Sequence, residues 1–139
     1  MDRYERLRML ENASTSNKQL FGAACLHQYC TAKGIQHCAC VVELLAHLKS
    51  MPISENLPAW AAAGAALQLS GRGDALPAEI EHLLSGEDAD EFGMLVECVV
   101  EIGLVDMFGG STDLPLQFAR RTIEILERAG IQIPDPSLE

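Results

Sequence analysis

The segment from Asp74 to Asp113 contains no lysine or arginine, and the nearest cationic residues along the chain are Arg72 and Arg120. Apolar residues recur through this segment at helical spacing, which excludes a disordered acidic tail. A folded acidic surface without nearby cations along the chain predicts a basic binding partner. The segment carries eleven carboxylates: Asp74, Glu79, Glu81, Glu87, Asp88, Asp90, Glu91, Glu97, Glu101, Asp106 and Asp113.

Aromatic residues are also scarce, at 5% of the 139 residues, whereas apolar residues make up 48%. The core is therefore expected to consist mainly of Leu, Ala, Val and Ile. A chain of this length is typical of one globular domain. We predict a single helical domain over residues 1–139, in which Pro134 and Pro136 make residues 131–139 an extended or flexible tail.

Long apolar runs are missing as well, so the sequence predicts neither a signal peptide nor a membrane-spanning helix. The uncharged stretches 19–32 and 56–71 are too short and contain polar residues. The five cysteines form an odd set, which favours reduced thiols over a disulfide framework. These features together predict a cytoplasmic protein.

Positive charge is lacking overall, since the formal net charge is −10. Residues 1–50 hold six Lys or Arg and four acids, whereas residues 51–139 hold four Arg and sixteen acids. Binding to nucleic acid needs a basic surface, so the charge balance predicts no nucleic-acid partner. Binding to anionic membranes is disfavoured for the same reason.

The periodicity of apolar residues predicts an all-α protein, a single-domain bundle of about six to seven short helices. The small residues of the fourth segment would allow neighbouring helices to approach closely, so we expect that helix at the centre of the bundle. The predicted segments are 2–13, 17–33, 35–50, 58–69, 77–84, 87–108 and a last helix from Thr112 or Asp113 to Gly130.

Motifs for catalysis and cofactor binding are absent from the sequence. There is no Gly-x-Ser-x-Gly elbow, no Gly-x-Gly-x-x-Gly turn and no phosphate-binding loop. Glu43 and His47 lie one turn apart but do not match the spacing of helical metal sites. The chain is therefore predicted not to be an enzyme, with no catalytic residue and no cofactor.

Cysteine and histidine are concentrated between residues 25 and 40, which is a composition found in zinc sites. On a helix, Cys25 and Cys30 would lie about 140° apart, and Cys38 and Cys40 about 200° apart, so neither pair would bind one metal ion. Small buried thiols are the preferred interpretation, and no metal ligand is assigned. A metal- or redox-sensing role built on this region is kept as an alternative.

The segment 87–108 is a predicted helix whose acidic residues lie on one face. Glu87, Asp90, Glu97 and Glu101 fall within about 80° on a helical projection, and Met94 lies between them. A solvated helix usually intersperses cations at i,i+4, whereas Glu97 and Glu101 form a mildly repulsive pair. We predict a partner-binding surface of these five residues and Phe108; Met107 and Trp60 are further apolar candidates. The alternative is a solvated face that only aids solubility.

These patterns favour a small acidic cytosolic immunity or inhibitor protein that binds and neutralises a basic toxin, and a nuclease is the kind of toxin we expect. A nuclease cleft carries Lys and Arg to hold phosphates, which a carboxylate-rich helix face would complement. The general character is similar to small acidic helical immunity proteins of bacterial toxin systems, although no motif matches residue by residue. The main alternative is a secretion chaperone or adaptor that holds a peptide segment between helices. The sequence leaves the oligomeric state open.

Overall fold

The protein is all-α in the computed structural model, which describes residues 1–107 and 109–136. The prediction of an all-α bundle is confirmed. A single 3-10 turn at Met51–Ile53 follows the third helix. The described α-helices are α1 (Arg3–Glu11), α2 (Thr15–Lys33), α3 (Ala39–Lys49), α4 (Leu57–Ala65), α5 (Ala78–Leu83), α6 (Glu87–Leu104) and α7 (Leu114–Ala129).

Helix α2 lies at the centre of the bundle and packs against α3, α6 and α7, while α6 and α7 form the most extensively packed pair. The crossing of α2 and α6 is close because both helices place a glycine there. A Cβ atom on Gly22 would come within 2.9 Å of Ile102, and one on Gly103 would clash with the Gln19 amide. The buried Gln19 donates a hydrogen bond of 2.8 Å to the Val99 carbonyl and links the two helices.

The helix ends follow ordinary capping chemistry. The Asp2, Ser14 and Asn56 side chains accept hydrogen bonds from backbone N–H groups in the first turns of α1, α2 and α4. Gly34 and Gly130 end α2 and α7 in the left-handed conformation, at φ of 74° and 72°. The cap at Gly34 is followed by a turn, so α3 begins at Ala39 instead of residue 35.

Helix α6 ends at Leu104, earlier than the predicted limit of residue 108. Gly103 lies inside the helix, where it faces α2. Beyond the helix, the Asp106 carboxylate accepts hydrogen bonds of 2.7 Å from both the backbone N–H and the hydroxyl of Thr112. This interaction stabilises the connection between α6 and α7.

The expectation that the fourth helix lies at the centre of the bundle is wrong. Only Trp60, Ala61 and Gly64 of α4 are buried, and its other alanines are exposed. The small residues of α4 serve a local purpose, because Gly64 allows the His47 and Arg72 side chains to meet above the helix.

The described part of the C-terminal tail, residues 131–136, has no helix and runs beside α1 and α2. Arg6 is only 8% exposed, and its guanidinium donates to the carbonyls of Ile133 and Pro134 and to the Asp135 carboxylate. This part of the tail is therefore attached to the bundle. Within the described residues, no helix has the length and apolarity needed to cross a bilayer.

Candidate functional site

The candidate site is the outward face of α6, which we call the acidic stripe and define as Glu87, Asp90, Met94, Glu97 and Glu101. Helix α6 buries Phe92, Leu95, Val99 and Ile102 against the bundle, so the residues on the opposite side point outward. Four of the five stripe residues are exposed and Glu101 is half-buried. Helical geometry thus brings together the α6 residues that the sequence predicted.

Two other carboxylates of α6 have structural roles and do not belong to the stripe. Asp88 forms an ion pair of 3.3 Å with Lys33, and Glu91 accepts a hydrogen bond of 2.9 Å from the Tyr29 hydroxyl. Both partners come from α2. These contacts join the start of α6 to the end of α2, which explains part of the acidic excess without any partner.

The stripe carboxylates themselves are not neutralised by contact. Among the residues that the structure describes, no ion pair within 4.0 Å involves Glu87, Asp90, Glu97 or Glu101. Met94 lies between these acids with 55% of its surface exposed. The face therefore combines four unpaired negative charges with one large apolar side chain.

Arginines of α7 lie next to the stripe, a feature that linear distance along the chain does not reveal. Glu87, Asp90 and Met94 line a surface hollow of about 200 Å³ together with Ile125 and Arg128 of α7. Arg128 is exposed at the rim of the hollow. Along the sequence, the cations nearest to the acidic segment are Arg72 and Arg120. Arg128 nevertheless approaches the stripe in space, because the α6–α7 hairpin brings residues together that are distant in the sequence.

A second arginine, Arg121, lies further along the same helix pair, near Cys98. Burial raises the pKa of the Cys98 thiol above its ordinary value; Arg121 lowers the pKa, and Glu97 and Glu101 raise it. The Arg121 guanidinium lies over the Phe118 ring, 5.2 Å from its centroid. Arg121 therefore lies near Cys98 and Phe118, and among the described residues it forms no ion pair within 4.0 Å.

The other predicted apolar anchors do not join the stripe. Met107 is half-buried in the core beyond the end of α6. Trp60 is 8% exposed and packs against His47, so it is not on the surface. Phe108 lies outside the described residues. Met94 is therefore the apolar residue that the structure places within the stripe.

The cysteine-rich region lies in the core. Cys25, Cys30, Cys38 and Cys40 are buried as free thiols. Burial, with smaller effects from Cys38 and Cys40, raises the pKa of Cys30 to about 12. Residues 1–107 and 109–136 contain no group of three or more His, Cys, Asp or Glu side chains placed to hold a metal ion.

Comparison of the chain with protein-family models, with curated proteins and with solved structures finds no match. The interpretation of the acidic stripe therefore depends on its own geometry and charge.

Proposed function

We propose that this protein is a small acidic immunity or inhibitor protein that neutralises a basic toxin of the nuclease class. In this proposal the chain acts by binding and not by catalysis. The acidic stripe occupies the Lys- and Arg-lined cleft in which the toxin would otherwise hold nucleic-acid phosphates. The toxin is inactivated because its substrate can no longer enter.

The observation that carries the proposal is the group of four carboxylates on one helix face with no ion pair among the described residues. Asp88 and Glu91 of the same helix have structural partners, so the unpaired state distinguishes the stripe from its neighbours. Glu97 and Glu101 repel each other across one helical turn, a small cost that a basic partner would relieve.

Charge and apolar contact have different roles in such a complex. The carboxylates attract a basic partner over a distance and orient it, which raises the association rate constant. The exposed Met94 and the adjoining hollow at Ile125 provide apolar contact, which slows dissociation. Met is enriched in protein interfaces.

A chaperone or adaptor role requires a different kind of surface, an apolar groove between helices. A hollow of about 350 Å³ lies beside α2 and the tail, lined by Leu20, Ala24, His27, Gln28, Lys49 and Pro134. This lining contains one leucine and neither Met nor Phe, so it gives this alternative less support than the stripe gives the inhibitor role. The metal- or redox-sensing alternative has its candidate thiols in the core.

Co-purification with the product of the adjacent gene at increasing salt concentration tests the proposal. The charge-reversal variant Glu97→Lys/Glu101→Lys should lose the complex, and the wild-type complex should weaken as salt rises. The matched control is Glu55→Lys/Glu81→Lys, which makes the same charge change at exposed positions outside α6. Equal loss in both variants would indicate a general charge effect and contradict a role for the stripe.

A further inference from the structure

The outer face of the α6–α7 hairpin carries charges of opposite sign on its two helices. The α6 side holds the carboxylates of the acidic stripe, and the α7 side holds Arg121 and Arg128. The two arginines are seven residues apart, so they lie within about 20° of each other on α7. The α6 side is thus a row of acids, whereas the α7 side carries the two arginines and, between them, Glu124, whose charge is paired with Arg3.

The two rows are also aligned along the hairpin. Arg128, near the end of α7, shares a hollow with Glu87 and Asp90 at the start of α6. Arg121, one heptad earlier on α7, lies close enough to α6 to influence the thiol of Cys98, which stands between Glu97 and Glu101 in the sequence. The helices are therefore antiparallel, and each arginine lies at the same height as a pair of carboxylates.

This arrangement is complementary to itself under a two-fold rotation. If the axis runs parallel to the helices along the seam between them, α6 of one copy faces α7 of the other. Each carboxylate pair then lies opposite the arginine at its own height, and both charge contacts occur twice, as in isologous dimers. An axis across the helices would instead place acids against acids, which is repulsive.

Partly exposed apolar residues on α6 and α7 would also contribute to such an interface. Met94 is 55% exposed within the stripe, Leu114 is 37% exposed at the start of α7, and Cys98 is half-buried. The core of a protein interface is usually apolar with a polar rim. Here Met94 lies among the carboxylates of α6 and lines the hollow shared with Ile125 and Arg128 of α7.

We propose that the α6–α7 face is the interface of a homodimer, in which the acidic stripe of each copy pairs with Arg121 and Arg128 of the other. The dimer goes beyond the proposed function and is independent of it. A basic partner that binds the stripe would have to displace the second copy, because both occupy the same carboxylates.

Sedimentation equilibrium over micromolar to millimolar protein concentration, at about 0.15 M salt to screen long-range repulsion, tests the dimer. Wild type should show a reversible monomer–dimer equilibrium. Glu97→Lys/Glu101→Lys and Arg121→Glu/Arg128→Glu should each raise the dimer dissociation constant roughly 100-fold or more, because each places like charges together. Glu55→Lys/Glu81→Lys should leave the dimer unchanged.

Mixing Glu97→Lys/Glu101→Lys with the single variant Arg121→Glu gives the decisive result. The reversed charges of the two copies then lie at the same height and attract, while Glu87, Asp90 and Arg128 stay native, so an equimolar mixture should form a heterodimer more tightly than either variant forms a homodimer. This rescue also shows that both variants are folded. A wild-type monomer at every concentration, dimers that persist in either variant, or a mixture without heterodimer would overturn the proposal.

The outcomes separate this proposal from the inhibitor role. Arg121→Glu/Arg128→Glu should abolish the dimer yet retain or strengthen binding to the product of the adjacent gene, because the stripe is intact and more accessible. If wild type is monomeric but binds that product through the stripe, only the dimer fails. If the dimer and its rescue are observed without such binding, only the inhibitor role fails.

Discussion

The His47 imidazole stacks on the Trp60 indole, with ring centroids 4.3 Å apart and 10° between the ring planes. The indole N–H donates to the His47 carbonyl and the Ser50 hydroxyl, which joins α4 to the end of α3. On its other side His47 meets Arg72 above Gly64. The His47 Nε2 atom is buried and has no hydrogen-bond partner among the described residues.

This environment makes folding stability depend on pH. Burial, and secondarily Arg72, lower the His47 pKa below its ordinary value of 6.5. Below pH 6.5 the unfolded chain therefore binds more protons at this site, so the free energy of unfolding should fall as pH drops from 6.5 toward the folded-state pKa. Well above pH 6.5 this histidine is neutral in both states and should contribute no slope.

Urea unfolding of wild type and His47→Gln between pH 7.5 and 5 would measure the effect, with the exposed His27→Gln as control. The slope should be smaller in His47→Gln and unchanged in His27→Gln. Equal slopes in all three proteins would show that protonation of His47 does not control acid stability.

Two glycines should respond to alanine in opposite directions. A Cβ atom on Gly64 would lie 2.6 Å from His47 Nε2 and 2.9 Å from the Arg72 guanidinium, and His47 cannot retreat because Trp60 holds it. Gly64→Ala should therefore destabilise the protein by about 1–3 kcal/mol.

Gly93 lies within α6 with no atom near its Cβ position, so Gly93→Ala should stabilise the protein by about 0.5–1 kcal/mol. Thermal or denaturant unfolding of both variants measures the contrast, and a shift of the same sign in both would refute the packing account.

The spacing of residues along the sequence was enough to predict the helices and the acidic stripe. It was not enough to predict which residues of other helices lie next to the stripe. The stripe depends only on spacing along α6, so a helical projection places Glu87, Asp90, Glu97 and Glu101 correctly. The approach of Arg128 to Glu87 depends on how the hairpin packs, which no local pattern contains. The central position predicted for α4 failed because small side chains permit close packing without requiring it.

Thiol accessibility should separate one cysteine from the other four. Cys98 is half-buried on the α6–α7 side, whereas Cys25, Cys30, Cys38 and Cys40 are buried in the core. Ellman's reagent should therefore modify about one thiol per native chain and all five after unfolding in urea. The variant Cys98→Ser should remove the native reaction, and several fast-reacting thiols in that variant would contradict the described burial.

Glu101→Lys should stabilise the isolated protein although it removes part of the proposed binding surface. The change replaces repulsion between Glu97 and Glu101 by an attractive i,i+4 pair and places a cation in the last turn of α6. The free energy of unfolding should rise by about 0.5 kcal/mol. Denaturant unfolding at low salt measures the gain, and Glu55→Lys, outside any helix, is the control. A clear loss of stability would contradict the repulsion between Glu97 and Glu101 on which this prediction depends.

The most direct test of the central claim is the rate at which the product of the adjacent gene associates with this protein, measured by stopped-flow fluorescence as a function of ionic strength. If the acidic stripe attracts a basic partner, the wild-type rate constant should fall steeply as salt rises. Glu97→Lys/Glu101→Lys should associate more slowly and depend clearly less on salt. Glu55→Lys/Glu81→Lys should keep most of the wild-type rate. An association rate that depends equally on salt in wild type and in the stripe variant would contradict the claim that Glu97 and Glu101 guide the partner to α6.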